Sequence, residues 1–307
     1  MKCYILCPYV QTGGPEAMHQ LCNEINQLSA AKAYMVYLNK PRTAPAAPAA
    51  PGPALPLLYA DDYPHLKEAA FTEIEDDSAH MIILPEIYTK RQLPPFCAIR
   101  VAIWWLSINN ALQFNTFYEN LKQPEVTHLF QSEYASATVM KHFPDTVRTF
   151  MLHDYTHPLA LPALSSHRAN KIAYNPIKDT MLPTLVHPDY LVPLIGLSKK
   201  ELHTTLLGCK IYIDLGSHPG QDRLPREAAM AGCVVITNKA GAAANAIDIP
   251  IEEKVEDSAA LFQLIQHIFE NGNENYEYYY KKQEPYRIAI ANEKERFTEE
   301  VRRVLNT

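Results

Sequence analysis

The chain has 307 residues and a mass of 34.7 kDa, enough for two domains of ordinary size, each with its own core. Hydrophobic residues make up 47% and charged residues 20%, which excludes wholesale disorder and a coiled coil. A net charge of -6 gives no pull towards phosphate backbones or anionic lipid, so nucleic acid is not an expected partner.

The opening MKCYILCPY lacks a cleavage pattern and no run of 18 apolar residues occurs, so a signal peptide and a membrane span are not expected and a cytoplasmic location is. Six cysteines (Cys3, Cys7, Cys22, Cys97, Cys209 and Cys233) lie without C-x-x-C or His spacing, as reduced, buried thiols would.

In chain order, residues 2–9 read as a strand and Thr12-Gly13-Gly14 as a turn, with Pro15 in the first helical position before Met18, Leu21, Cys22, Ile25 and Leu28 at helical spacing. A strand over 33–38 completes a βαβ unit, the start of an open parallel sheet. The Pro/Ala stretch 41–56 is a coreless loop. A helix over 63–75, strands at 80–86, 99–106 and 127–131, a helix over 133–142 and a short strand near 148–152 follow. Residues 156–168 carry prolines and serines as a linker does.

The second half repeats this grammar: strands at 171–176, 190–195, 209–216 and 233–237, and helices at 178–187, 199–207, from Pro225 to Gly232, 258–270 and 286–305. The expected fold is α/β, with two Rossmann-like domains facing a central cleft: 1–160, 161–285, and a helix 286–307 packing back on the first domain.

The segment 214–245 gathers a glycine loop with His218 and Gly220, then Arg223, Arg226 and Glu227, at a strand end and helix start where backbone N–H groups and the dipole favour an anion. Two readings of Glu227 stand: an acceptor for sugar hydroxyls, or a first-turn acid balancing the dipole. In the first domain Glu86, Trp104, Trp105, Ser107, Asn109, Asn110, Gln131, Ser132, Glu133, His153 and Asp154 each follow or end a strand and line the expected cleft. Of the two tryptophans one is expected in the core, while the other suits a sugar face. The run Tyr276, Tyr278, Tyr279 and Tyr280 with Lys281 and Lys282 reads as packing for a closing helix or as a patch for peripheral membrane contact.

Glu227-Ala228-Ala229-Met230-Ala231-Gly232-Cys233-Val234-Val235 and Gly241-Ala242-Ala243-Ala244-Asn245 resemble the donor-site motifs of GT-B glycosyltransferases, especially those of family 4. The HPG-DR-PREAA segment is similar to that of capsule-type transferases. The chain departs from the family's E-x7-E pair, whose first acid falls on Pro219, and Asn245 replaces a later glutamate. The resemblance implies transfer of a sugar from a nucleotide-sugar donor to a glycan or glycolipid acceptor, in bacterial surface polysaccharide synthesis. It implies no cofactor beyond the donor, and because the sequence has no D-x-D motif no metal is expected. Donor-binding residues would be Gly13, Gly14, Asn175, Lys178, Gly220, Arg223, Glu227, Gly241 and Ala242, with Glu227 on the ribose and Lys178 on the phosphates. His218, Arg223, His153 and Asp154 are the candidates for catalysis. A non-catalytic nucleotide-sugar-binding protein and a sugar-nucleotide epimerase are the alternatives; a dehydrogenase fits less well, because Gly13-Gly14 does not complete G-x-G-x-x-G.

Overall fold

The computed structural model describes residues 1–28, 31–38, 59–87, 96–111, 126–142, 147–157 and 168–306. The Pro/Ala stretch 41–56 and most of the expected linker, residues 158–167, lie outside them. The chain divides into two compact units, one of Met1–Gln131, Ala135–Asp154 and Glu295–Thr307, the other of Ser132–Tyr134 and Tyr155–Lys294.

In the first unit, β1 (Lys2–Pro8), β2 (Lys32–Leu38), β3 (Met81–Pro85), β4 (Arg100–Trp105), β5 (Thr127–Phe130) and β6 (Arg148–Met151) form a sheet in the order β2-β1-β3-β4-β5-β6. Every pairing is parallel. Side chains alternate across β1: Tyr4 and Leu6 join Val36, Ile82, Leu84 and Ile99 in one apolar cluster, while Cys3, Ile5 and Cys7 are buried on the other face. Helix α1 (Gly13–Leu28) buries Ala17, Met18, Leu21, Cys22 and Ile25, and α2 (Glu133–Val139) follows β5. Helix α1 starts at Gly13, not at Pro15, so the two glycines form its first turn. Pro15 is tolerated there because first-turn N–H groups have no intrahelical partner.

The expected helix over 63–75 is absent. Residues 67–69 instead run beside β2, with Met35 N donating to Lys67 O (2.7 Å) and Ala69 N to Met35 O (3.0 Å), before a 3-10 turn at Phe71–Glu73. Strand β2 is a sheet edge whose backbone groups need partners, and that pairing outweighs local helical spacing.

In the second unit, β7 (Ala169–Tyr174), β8 (Leu191–Pro193), β9 (Cys209–Asp214) and β10 (Val234–Thr237) form a parallel sheet in the order β10-β9-β7-β8. One face carries Ala173, Tyr212 and Val235 with residues of α4 (Lys199–Gly208) and α5 (Arg223–Met230). The other carries Ile172, Ile211, Ile213, Val234 and Ile236 against α3 (Leu182–Leu185), α6 (Ser258–Phe269) and α7 (Glu274–Lys282). The helix expected at 178–187 is thus a single turn. The tyrosine run is α7, where Tyr276 is buried and donates to Gly232 O (2.7 Å). The helix expected at 286–305 is two, α8 (Glu284–Ala291) and α9 (Glu293–Leu305), divided at Asn292. Five of the six cysteines are buried, whereas Cys97 is exposed. Among the described residues no helix is long and apolar enough to cross a membrane.

Candidate functional site

In each sheet the strand order reverses once, between β1 and β3 in the first and between β7 and β9 in the second. Open parallel sheets bind ligands beyond the carboxyl ends of the strands at such a reversal. In the second unit those ends lead into residues 175–181 and 215–222, which hold Asn175, Lys178 and Gly220 of the expected donor residues.

After β7, the Asn175 carbonyl accepts Lys178 N (3.2 Å) and Asp179 N (2.9 Å), closing a turn. Asp179 is 3% exposed and ties both loops together, accepting Leu182 N at 2.9 Å and Leu215 N at 3.2 Å. Lys178 then reaches over the loop after β9, with Nζ 2.5 Å from Asp222 Oδ2 and 3.4 Å from Ser217 O. A Cβ on Gly216 would come within 3.2 Å of Lys178 Cβ and its carbonyl oxygen, so the close approach favours glycine.

His218 is completely buried between two carboxylates, Nε2 lying 3.3 Å from Asp214 O and 3.8 Å from Asp214 Oδ1, and Nδ1 3.3 Å from Asp222 Oδ2. Its carbonyl accepts Ala242 N (2.8 Å), and a Cβ on Gly241 (φ +55°) would overlap that same carbonyl. The loop after β9 and the turn at Gly241–Ala244 are thereby locked backbone to backbone. Burial pushes the Asp214 carboxyl up. Burial acts the same way on Asp222, but the adjacent His218 and the Lys178 ammonium outweigh it and hold that carboxyl below its ordinary value. Among the described residues Asp214, His218 and Asp222 are the one cluster of three metal-capable side chains, their ligand atoms within 4.8 Å of one another. The Lys178 ammonium already sits on Asp222, where it would oppose a second cation.

Helix α5 begins at Arg223, next to Gly220 and the loop. Asp222 stands at its N-cap position yet makes no side-chain bond to the first-turn N–H groups. Arg226 is 2% exposed and pairs with Glu293 at 3.0 Å, while donating to Asp222 O (3.2 Å) and Gln221 O (2.8 Å). It is a buried brace for the loop. Glu227 is half-buried in the second turn, outside the first turn that the dipole-balancing reading requires.

Asn175, Lys178, His218, Gly220, Gly241 and Ala242 thus fall on the linked loops and turn beyond β7, β9 and β10, with Arg223 opening α5 and Glu227 one turn into it. Gly13, Gly14, His153 and Asp154 belong to the first. A Cβ on Gly14 would touch only Leu106 Cδ1 at an ordinary 3.8 Å. His153 is clamped by Glu300, which accepts its backbone N–H and lies 2.8 Å from Nδ1. Asp154, 1% exposed, accepts Gln131 Nε2 at 2.8 Å. Neither is an open base in this arrangement.

Both tryptophans are fully buried, so the expectation that one faces a sugar fails. Strand β4 is interior to the sheet, and each indole N–H is used: Trp104 donates to Leu152 O (2.7 Å) and Trp105 to His128 Nδ1 (3.1 Å). Glu86 follows β3 at the first unit's reversal, accepting Leu106 N (3.1 Å) and Asn110 Nδ2 (3.5 Å). Asp214 and Asp222 are the site groups that sequence reading missed. Their i, i+4 spacing about His218 falls on a strand end and loop, where no periodicity marks it.

No protein-family model matches the chain, and no curated protein matches its sequence. Solved structures do match in fold. A trehalose-6-phosphate synthase, OtsA, superposes with a TM-score of 0.62 at 9% identity, covering 98% of this chain and 99% of that one. The T4 phage β-glucosyltransferase gives 0.52 at 9% identity, over 98% and 99%. TarM gives 0.58 at 11% identity over 77% of this chain, which spans 57% of TarM. At these identities the likeness is one of architecture, and it gives the chain the two-domain α/β fold named GT-B.

Proposed function

We propose that the chain is a glycosyltransferase that moves a sugar from a nucleotide-sugar donor to a glycan or glycolipid acceptor. One observation carries this reading: at the β7/β9 reversal the Lys178 ammonium sits on Asp222 at the start of α5, a helix N-terminus without a side-chain cap, and Glu227 follows one turn along that helix. A nucleoside diphosphate has matching parts. Its phosphates suit Lys178, Arg223 and the first-turn N–H groups, and its ribose hydroxyls suit Glu227 as acceptor. That fold neighbours include a β-glucosyltransferase supports the same reading.

Chemistry at such a site is mainly electrostatic. As the bond from sugar to diphosphate breaks, negative charge grows on the leaving group, and the fixed cations and N–H dipoles stabilise it without reorganising. Transfer without a metal fits this set, since Lys178 and Arg223 carry the charge that a metal would supply. Surface polysaccharide synthesis and peripheral contact with a membrane belong to the proposal through the motif resemblance alone.

A second reading is a nucleotide-sugar-binding protein without turnover, favoured by Pro219 and Asn245 in place of two family acids. Calorimetric titration of UDP, GDP, ADP, dTDP and CMP tests the donor site. One nucleotide should bind selectively, and Glu227→Ala should weaken it about tenfold, the worth of a charge-assisted hydrogen bond. Binding of none by the folded protein would overturn the reading. Binding without sugar release across acceptors would select the second one.

A further inference from the structure

We infer that Asp222 is a positioning residue, which fixes the Lys178 ammonium at the mouth of α5 so that the site takes the diphosphate of its ligand. This rests on the donor-site reading above.

An aspartate directly before a helix ordinarily caps it, accepting the N–H of the second or third helical residue. Here the third residue is Pro225, which has no N–H, and the Asp222 side chain makes no cap bond at all. The carboxylate turns instead to Lys178 Nζ at 2.5 Å and His218 Nδ1 at 3.3 Å. Its backbone is held from behind. Arg226, anchored on Glu293, donates to the carbonyl of Asp222 and to that of Gln221. His218 is fully buried, set against Asp214, with its carbonyl bonded to Ala242 N. Asp222 is thus fixed on both sides, whereas Lys178 comes from a different loop on a long side chain. Released, a lysine samples many rotamers and spends little time over the helix mouth; held, that entropy is lost before the ligand arrives.

The charge of Asp222 works against this role, and the opposition makes the idea testable by sign. If Asp222 acted only as a charge, its removal would strengthen anion binding. If it acts through Lys178, its removal weakens anion binding although the site becomes more positive.

The measurement is calorimetric binding of inorganic pyrophosphate, the nucleoside diphosphates and the corresponding nucleosides to wild type, Asp222→Ala, Asp222→Asn, Lys178→Ala and the double variant Lys178→Ala/Asp222→Ala. Melting temperatures establish that each is folded. Asp222→Ala should weaken diphosphate and pyrophosphate about tenfold, while nucleoside affinity stays unchanged. Asp222→Asn keeps an oxygen for Lys178 and should recover most of the loss. The double variant should bind no more weakly than Lys178→Ala, because the effect of Asp222 passes through that lysine. Tighter or unchanged diphosphate binding in Asp222→Ala overturns the inference, as do additive losses in the double variant. If Asp222→Ala does not fold, Asp222→Asn decides it, a tighter diphosphate complex again counting against. Absence of all binding in wild type removes the donor-site reading and this inference with it; normal wild-type binding with the wrong sign removes this inference alone.

Discussion

Glu86 is 2% exposed at the β1/β3 reversal, and burial pushes its carboxyl up to about 7 from an ordinary 4.5, against the opposing N–H of Leu106. A raised carboxyl holds in the folded chain a proton that the unfolded chain releases. Its contribution to stability is therefore full below pH 4.5 and is lost as pH climbs to about 7. Glu86→Gln removes the titration while keeping an oxygen for Leu106. Urea midpoints should show its advantage over wild type growing by about 3 kcal/mol between pH 4.5 and 7.5; a constant gap would mean that Glu86 is charged throughout. Arg226 and Glu293 pose a different case, each under 5% exposed on its side chain. Removing either partner strands a buried charge, so Arg226→Ala and Glu293→Ala should each cost about 3–5 kcal/mol in denaturant unfolding, and the pair together less than the sum.

At the scale of elements, strands were readable because buried parallel strands are continuous apolar runs, as in MIILP and CKIYID. Residues 63–75 misled for the converse reason: Leu66, Ala69, Ala70 and Ile74 fall at helical spacing, but nothing local records that a sheet edge lies beside them. The site was half legible. Lys178 and Glu227 stand in motifs that resemble a family. The diversion of Asp222 was hidden, because the helix was read to open at Pro225, not at Arg223, and the partners of Asp222 come from residues 178 and 218. The tryptophan assigned to a sugar face was misread from alternation, which exposes a side chain only when one sheet face is open. Gly241 couples two loops, so Gly241→Ala should strain φ and displace the His218 carbonyl. Thermal unfolding should report a loss of about 2 kcal/mol, and pyrophosphate should bind more weakly. An unchanged melting curve would mean that the loops are not locked.

At the scale of the whole molecule, the division between the units falls inside α9, after Lys294. Glu293 pairs with Arg226 and accepts Thr156 N (2.8 Å) in the second, while Glu300 clamps His153 and Thr298 donates to Glu24 (2.5 Å) in the first. Phe297, Val301 and Val304 of the same helix are buried. A chain ending at Asn292 should lose several kcal/mol, given about 1.5–3 kcal/mol per buried apolar side chain. Hydrogen exchange should then rise around both His153 and Arg226; protection retained at either would show that α9 is dispensable there.

The first unit is discontinuous in sequence: Glu295–Thr307, which carries most of α9, joins a sheet whose strands lie between Lys2 and Met151. During synthesis the six-stranded sheet leaves the ribosome long before Glu300 exists, and His153 and Glu24 wait through the making of the entire second unit. The second unit, whose chain is nearly continuous, is complete once Lys294 has been added. Vectorial synthesis therefore makes the strands of the first unit early but withholds the residues that hold His153 and Glu24 until the second unit has been made.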